Sequence, residues 1–572
     1  MKRDEAGSPS EPVEQDTSGF VRSKQGSQVE DGHPVSRQPV KGQILRSASV
    51  VAVITLISRI CGYLRDQRIA LLLGTSPAAD AFVLAFRIPN LIRRVTGGGA
   101  LGASFIPVFT GYLREKPRDE ALRFAQKVFW DVAVILAVVA IAGAIFSKQV
   151  VSIFTLLGHG AIRWDLAIYL NRIIFPCVLF IGLAALVSAA LNSFHVFGLP
   201  AATSVVFNLV FIVFSMGWAY RLIVPHAQAG FRTPAVALAC GVLAGAVAQF
   251  AMQVPALARR GMKFSPAVSF SDPGVRKIGR LMGPSLFGMG VYQINFFMDT
   301  IFATSPRMPQ GSVASLYVGD RMMELVLGTY ATAISTVLLP MMSHQAAAGE
   351  YEGMKKAFGF SLRVVSFITI PAALGLMVLR RPVIETLFQH GAFSAESVTL
   401  TARGLFYYAL GLPAFAAIKL IAPLFYAVQD TATPAWVGAY ALGANILFNS
   451  VFLLFFVGRL SNGGPALASS LAAAFNFALL FFLFRKRYGP VGARSMIAAF
   501  GKMLVCGAAM ATVAWEGLRF WRSGQHHVVA QAGLLAGMIV VSAAVYFGMA
   551  WVMRCEELGE MRLLVKGSGK EA

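Results

Sequence analysis

The chain has 572 residues, 56% hydrophobic and only 14% charged, with 50 Lys and Arg against 28 Asp and Glu, a formal net charge of +22. This composition excludes an ordinary soluble domain and fits a polytopic, all-α membrane protein. In a soluble protein the basic excess would suggest nucleic acid. In a membrane protein the positive-inside rule produces it, and no nucleic-acid partner is expected.

Residues 1–42 are rich in Ser, Pro, Gly, Glu and Gln and contain no apolar run. They read as a disordered cytoplasmic tail, not a signal peptide, because the first hydrophobic segment starts too late. From Ile44 onward fourteen segments are long enough to cross a bilayer, which takes about 20 apolar residues. They are 44–64, 79–112, 124–147, 165–194, 201–223, 234–256, 276–303, 312–343, 359–379, 398–427, 434–457, 465–484, 496–518 and 528–552. The second and eighth are long and interrupted by Gly or polar residues; Gly97-Gly98-Gly99 reads as a bend or break. Thirty basic residues fall on the side of the two termini and ten on the other, so both termini are expected in the cytoplasm.

A repeat is visible. Asp66 and Asp299 are 233 residues apart, as are Pro107 and Pro340, while Pro200 and Pro434 are 234 apart. This predicts two six-helix halves, 44–257 and 276–485, followed by two extra helices at 496–552 and a cytoplasmic tail from 553 to 572. An even number of spans per half makes them parallel repeats, which usually hold their substrate between them and work by rocking.

The stretch from Ser58 to Tyr112 is apolar yet carries Arg59, Arg65, Asp66, Arg68, Asp80, Arg87, Arg93 and Arg94. A charge near the bilayer centre costs about 3 kcal/mol, so such residues face a protein interior or a watery cavity. The excess is cationic, and arginine binds phosphate oxygens bidentately while staying charged. The expected cargo is therefore an anion. Span 8 adds Asp320, Arg321 and Glu324; Arg321 and Glu324 are i, i+3 and can pair. Span 7 adds Asp299. Internal ion pairs, such as Arg65 with Asp66 or Arg321 with Asp320, are the competing reading, and Arg93 and Arg94 can also be anchors at a helix end. Asp299, Asp320 and Glu324 are candidates for gating or for binding a coupling monovalent ion. The membrane potential is a further energy source, at about 2.3 kcal/mol per charge per 100 mV.

Five scattered cysteines make no CxxC pair, no cluster has metal-ligand spacing, and no P-loop, GxGxxG or GxSxG occurs, so no cofactor or metal is expected. A lipid-linked glycosyltransferase would need a catalytic carboxylate in a sizeable external loop. The external loops here are roughly ten to twenty residues long and contain no carboxylate pair.

SRICGYLRD, DAFVLAFRIPNLIRR, GALGASFIPVF, YVGDRMMELVLG with LLPMMS, and FQHGAF resemble the lipid II flippases of the MurJ (MviN) family, in the multidrug/oligosaccharidyl-lipid/polysaccharide exporter superfamily. The resemblance runs from about residue 44 to 553. It implies a non-enzymatic transporter of the bacterial inner membrane that moves undecaprenyl-diphosphate-linked peptidoglycan precursor, lipid II, to the periplasmic leaflet by alternating access. It also implies that Arg59, Arg65, Arg93 and Arg321 receive the headgroup diphosphate, with Asp66, Asp80 and Arg87 alongside. The two extra helices would hold the prenyl tail, and cell-wall synthesis enzymes are candidate partners. Some family members carry an acidic residue where this chain has Gly97-Gly98-Gly99. A flippase for another polyprenyl-diphosphate oligosaccharide, such as an O-antigen or exopolysaccharide unit, stays open, because both cargoes carry a diphosphate.

Overall fold

A computed structural model describes the backbone of residues 41–95, 101–158, 160, 162–227, 230–521 and 528–559. The expected tail before residue 41, the Gly97-Gly98-Gly99 turn, His526-His527 and the chain beyond 559 lie outside the described residues, as do the side chains of Arg93 and Arg94. The chain divides into two units, residues 1–49 and 50–572. Of the first, residues 41–49 are described and are helical. The second is one compact body that holds everything below, so the two halves expected from the repeat are parts of a single unit.

No strand occurs among the described residues. The helices are α1 (Lys41–Leu73), α2 (Pro77–Val95), α3 (Leu101–Glu115), α4 (Arg118–Ile145), α5 (Ser147–Ser152), α6 (Trp164–Ile174), α7 (Cys177–Ser193), α8 (Gly198–Phe214), α9 (Gly217–Ile223), α10 (Pro234–Ala251) and α11 (Val254–Ala258). They continue with α12 (Pro273–Ala303), α13 (Ser312–Ala347), α14 (Tyr351–Phe388), α15 (Ala395–Ala427), α16 (Ala432–Val451), α17 (Val457–Leu460), α18 (Gly463–Tyr488), α19 (Ala493–Gly517) and α20 (Val528–Val552).

Among the described residues nine helices are long and apolar enough to cross a membrane, or ten crossings if α8 and the segment beginning with α9, bent by 68°, count as one. The expectation of fourteen is not reached on that measure. The other four expected spans fall on α1, on α2 with α3, on α12 and on α13, the segments that carry the intramembrane charges. The second expected span is two helices, with Pro89 inside one and Pro107 inside the other.

Local chemistry sets the helix starts. The Asp272 carboxylate accepts the Gly274 N–H and Pro273 stands at the first position of α12, while Ser394 accepts the Ser397 N–H at the start of α15. α13 has no such cap of its own, since its N-cap is Gly311.

α15 packs against α13, α14 and α18; α10 packs against α7 and α8, and α7 against α3 and α4. Contact between these two groups runs through α2 and α3 against α12, and through α2 against α13. α19 and α20 pack on each other and on α14, where the Tyr546 hydroxyl donates to the Phe367 carbonyl at 2.8 Å. Their outer faces expose Ile497, Leu504, Val540 and Trp551, as helices solvated by lipid do.

Candidate functional site

α1 and α13 meet along a charged seam. Arg65 donates through Nε and Nη2 to Oδ1 of Asp66, at 3.0 and 2.8 Å, and through Nη1 to Oδ1 of Asn208 on α8, at 3.1 Å. The Tyr317 hydroxyl of α13 donates to the same Asp66 oxygen at 3.2 Å, and the Arg321 Nε stands 3.8 Å from the other. Arg321 is paired with Glu324 one helical turn on, and its guanidinium lies over the Tyr317 ring at 5.0 Å. Arg59, six residues before Arg65 on the same helix, donates to the Gly328 carbonyl of α13. Asp66 is thus a buried carboxylate shared between two arginines from helices far apart in sequence.

The expected pairing of Arg65 with Asp66 and of Arg321 with Glu324 is present in this geometry. Arg321 takes Asp66 as its second carboxylate rather than forming the Arg321–Asp320 bridge considered above. Asp320 is buried next in sequence and acts on Arg321 through its charge.

Asp299 forms a second, separate cluster. It accepts Asn445 Nδ2 and Asn449 Nδ2 of α16, each at 3.1 Å, and the Ser469 hydroxyl of α18. All four residues are buried. The orientation of each amide follows from the hydrogen bonds it completes. Arg87 of α2 lies near enough to act on Asp299 by charge, and among the described residues its buried Nε has no hydrogen-bond partner.

Asp80, expected alongside the anion-binding arginines, stands apart from the seam contacts: its two oxygens accept the Gly311 N–H at 2.9 Å and the Ala314 N–H at 2.8 Å. A carboxylate from α2 therefore supplies the missing cap of α13, where the helix dipole also favours a negative charge. Its partners are backbone amides, which leaves it a latch between elements.

That latch belongs to an interlock of three turns. The Ala392 N–H donates to Leu71 O at 2.8 Å, the Thr75 and Ser397 hydroxyls share a 2.8 Å hydrogen bond, and Gln67 Nε2 donates to Leu387 O at 3.0 Å. Gly74 has φ +58°, and a Cβ there would come within 2.2 Å of Ala392 O; Gly311 has φ +83°, and its Cβ would come within 2.2 Å of Thr75 O. Both positions need glycine for conformation and for room.

Sequence reasoning missed Asn208, Tyr317, Asn445, Asn449 and Ser469. A signal existed for the two amides of α16: NILFN in an apolar helix places both at i, i+4 on one face, and such polar residues seek partners. The position of Arg93 in the seam lies outside the described side chains.

This architecture has relatives. The family model of the lipid II flippase MurJ matches residues 69–532. The probable lipid II flippase MurJ of Vibrio cholerae is 35% identical over 450 residues, covering 77% of this chain and 83% of its own. The lipid II flippase MurJ of Burkholderia cenocepacia is 34% identical over 523 residues, covering 89% and 97%. Among solved structures, a lipid II flippase MurJ in an inward closed conformation superposes with a TM-score of 0.70 at 24% identity, covering 87% of this chain and 98% of its own. An inward-facing multidrug resistance transporter of the MATE family, in the MOP superfamily, gives 0.61 at 15% identity, covering 78% and 98%. These two likenesses show the transporter fold. The profile match and the curated relatives establish that this multi-span membrane protein belongs to the lipid II flippase MurJ family.

Proposed function

We propose that the chain carries lipid II from the cytoplasmic to the periplasmic leaflet by alternating access, with the headgroup diphosphate received by Arg59, Arg65 and Arg321. The observation that carries this reading is the seam itself. Two arginines of α1 and one of α13 lie half-buried along the seam, and Arg65 and Arg321 share Asp66. These guanidiniums are held by Asp66, Glu324, Asn208 and the Gly328 carbonyl. A diphosphate offers several charged oxygens and competes for the same donors by exchange of partners. Asp66 lies between Arg65 and Arg321 and offsets their mutual repulsion. Arg93 extends the same set in the family pattern.

Loop charge supports cytoplasmic termini, which puts the interlocked turns of α1, α13 and α14 at the periplasmic end. The contacts between these turns support a cargo path that opens at this end only when the Asp80 latch releases. The buried Asp299 carboxylate supports a role in binding a coupling monovalent cation, for which Asn445 and Asn449 must turn their carboxamide oxygens inward in place of the N–H groups that Asp299 accepts here. The energy of the return step comes from that ion or from the membrane potential. α19 and α20 supply the apolar surface for the prenyl tail.

The test in cells is depletion of a host's own lipid II flippase with this gene supplied in its place. The intact chain restores survival and outer-leaflet precursor; the Arg65→Ala variant does not. No rescue by a correctly inserted intact chain would move the cargo to another polyprenyl-diphosphate oligosaccharide.

A further inference from the structure

Two basic pockets lie apart from the seam, one in each repeat. The first, with a volume of about 370 Å³, is lined by Arg380 and Arg381 of α14 and by Arg403, Phe406 and Tyr407 of α15. Arg380 lies over the Phe406 ring at 5.0 Å, and its Nη1 donates to the Met377 carbonyl, which fixes its orientation. Arg381 pairs with the buried Glu385, whose second oxygen holds the Trp521 indole N–H at 2.6 Å. Arg403 is exposed and no acidic side chain lines the pocket.

The second pocket, about 760 Å³, is lined by Lys148, Arg163 and Arg172, with Asp165 as its acid. Arg163 donates to the Gly230 carbonyl, and Tyr169 stacks on Phe231 with ring centroids 4.8 Å apart. Aromatic rings thus wall both pockets; three cations and no carboxylate line the first, and three cations and one carboxylate line the second.

The two pockets are related by the repeat. Lys148 and Arg381 are 233 residues apart, the spacing of Asp66 and Asp299, and Arg172 and Arg403 are 231 apart. Arg172 and Arg403 each stand eight residues into their helices, α6 and α15, about 12 Å from the helix start at 1.5 Å per residue. Both arginines thus lie in the first turns of expected spans, from which a long cationic side chain reaches the membrane surface. Six expected spans separate the two hairpins, so both open on the same side, which the loop charges make the periplasmic one. On that side basic residues are scarce, so their concentration around two cavities is not the positive-inside rule at work.

We propose that each pocket binds an anionic phosphate at the periplasmic membrane surface, borne by a lipid headgroup or free in solution. Arginine forks above aromatic walls match the charge and planar contacts of such a group. The inference does not depend on which cargo crosses the seam.

The test uses the full chain in phosphatidylcholine nanodiscs, with retained phosphatidylglycerol counted by native mass spectrometry. The wild type is expected to retain two phosphatidylglycerol molecules in preference to phosphatidylcholine. Arg380→Gln with Arg403→Gln should remove one, and adding Lys148→Gln with Arg172→Gln should remove the other, each with roughly tenfold weaker apparent affinity. Arg403→Lys should keep most of the binding, which separates charge from packing, and Arg59→Ala should leave both sites intact even if it stops transport. Inorganic pyrophosphate that displaces the lipid identifies phosphate alone as the recognised group; loss in the variants without such displacement identifies lipid-borne phosphate. A monodisperse fourfold variant that retains two phosphatidylglycerol molecules with unchanged affinity overturns the proposal.

Discussion

At the scale of residues, the decisive group is Asp66. It is buried, it accepts from Arg65 and Tyr317, and it faces Arg321. Removing one member of a buried ion pair leaves the other uncompensated and costs about 3 kcal/mol or more. Asp66→Asn keeps the shape and withdraws the charge shared by two cations. The expected outcome is a folded protein with transport reduced at least tenfold, read as precursor accessible on the outer leaflet per molecule of inserted protein. Undiminished transport would show that the shared carboxylate is dispensable. The pairing of Arg321 with Glu324 was legible in GDRMME, because helical spacing alone brings i and i+3 together. The contact of Arg321 with Asp66 was not, because 255 residues separate them and only the tertiary fold brings α13 within side-chain reach of α1.

At the scale of elements, the turns explain what single residues do not. Asp80 sits among apolar neighbours in PAADAF, and sequence could only mark it as a charge in an apolar run. Its purpose becomes clear when the first turn of α13 lies against it, since helix starts leave N–H groups that need acceptors. Asp80→Ala removes that cap and is expected to cost about 1–2 kcal/mol. It should also loosen the closed end, so that Thr75→Cys reacts faster with an impermeant maleimide in the Asp80→Ala background. Equal reactivity in both backgrounds would argue against the latch.

A second element-scale contact straps the connection before α12 along α4. Ser269 N–H donates to Asp131 at 2.7 Å, Gln126 donates to Ser265, and Lys127 pairs with Asp272 at 2.9 Å. Partial burial pushes the Asp272 carboxyl up, but the Lys127 ammonium and the Gly274 N–H outweigh it and hold it below its ordinary 3.8. A carboxyl with a depressed folded value stabilises above its unfolded pKa and loses that contribution as pH falls through the folded one. Hydrogen-exchange protection of residues 263–275, corrected for intrinsic rates, should therefore hold at pH 6 and drop below about pH 4. Lys127→Met should bring the pH 6 protection close to the acidic value. Protection independent of both pH and Lys127 would mean the ion pair does not fasten the strap.

At the scale of the whole molecule, apolar length was readable wherever a helix faces lipid, and α14, α15, α18 and α20 sit where the hydrophobic runs put them. The reading was least direct at α1, α2, α3, α12 and α13. There charge, Gly and Pro interrupt the apolar pattern because one face of these helices carries the buried polar contacts of the seam, of the Asp299 cluster and of the interlocked turns. The same interruptions that blur a span mark the seam to which the proposal assigns the cargo. The repeat spacing drew attention to Asp66 and Asp299 together, yet they serve in different surroundings, one among arginines and the other among amides.

The most direct test of the central claim is transport by the purified full chain in proteoliposomes containing lipid II. The fraction reaching the outer leaflet would be read with an impermeant probe for the intact protein, Arg65→Gln and Arg321→Gln. Transport by the intact chain and its loss in both variants, with insertion unchanged, is the predicted result. Transport that proceeds equally in all three would contradict the assignment of the diphosphate to the arginines of α1 and α13.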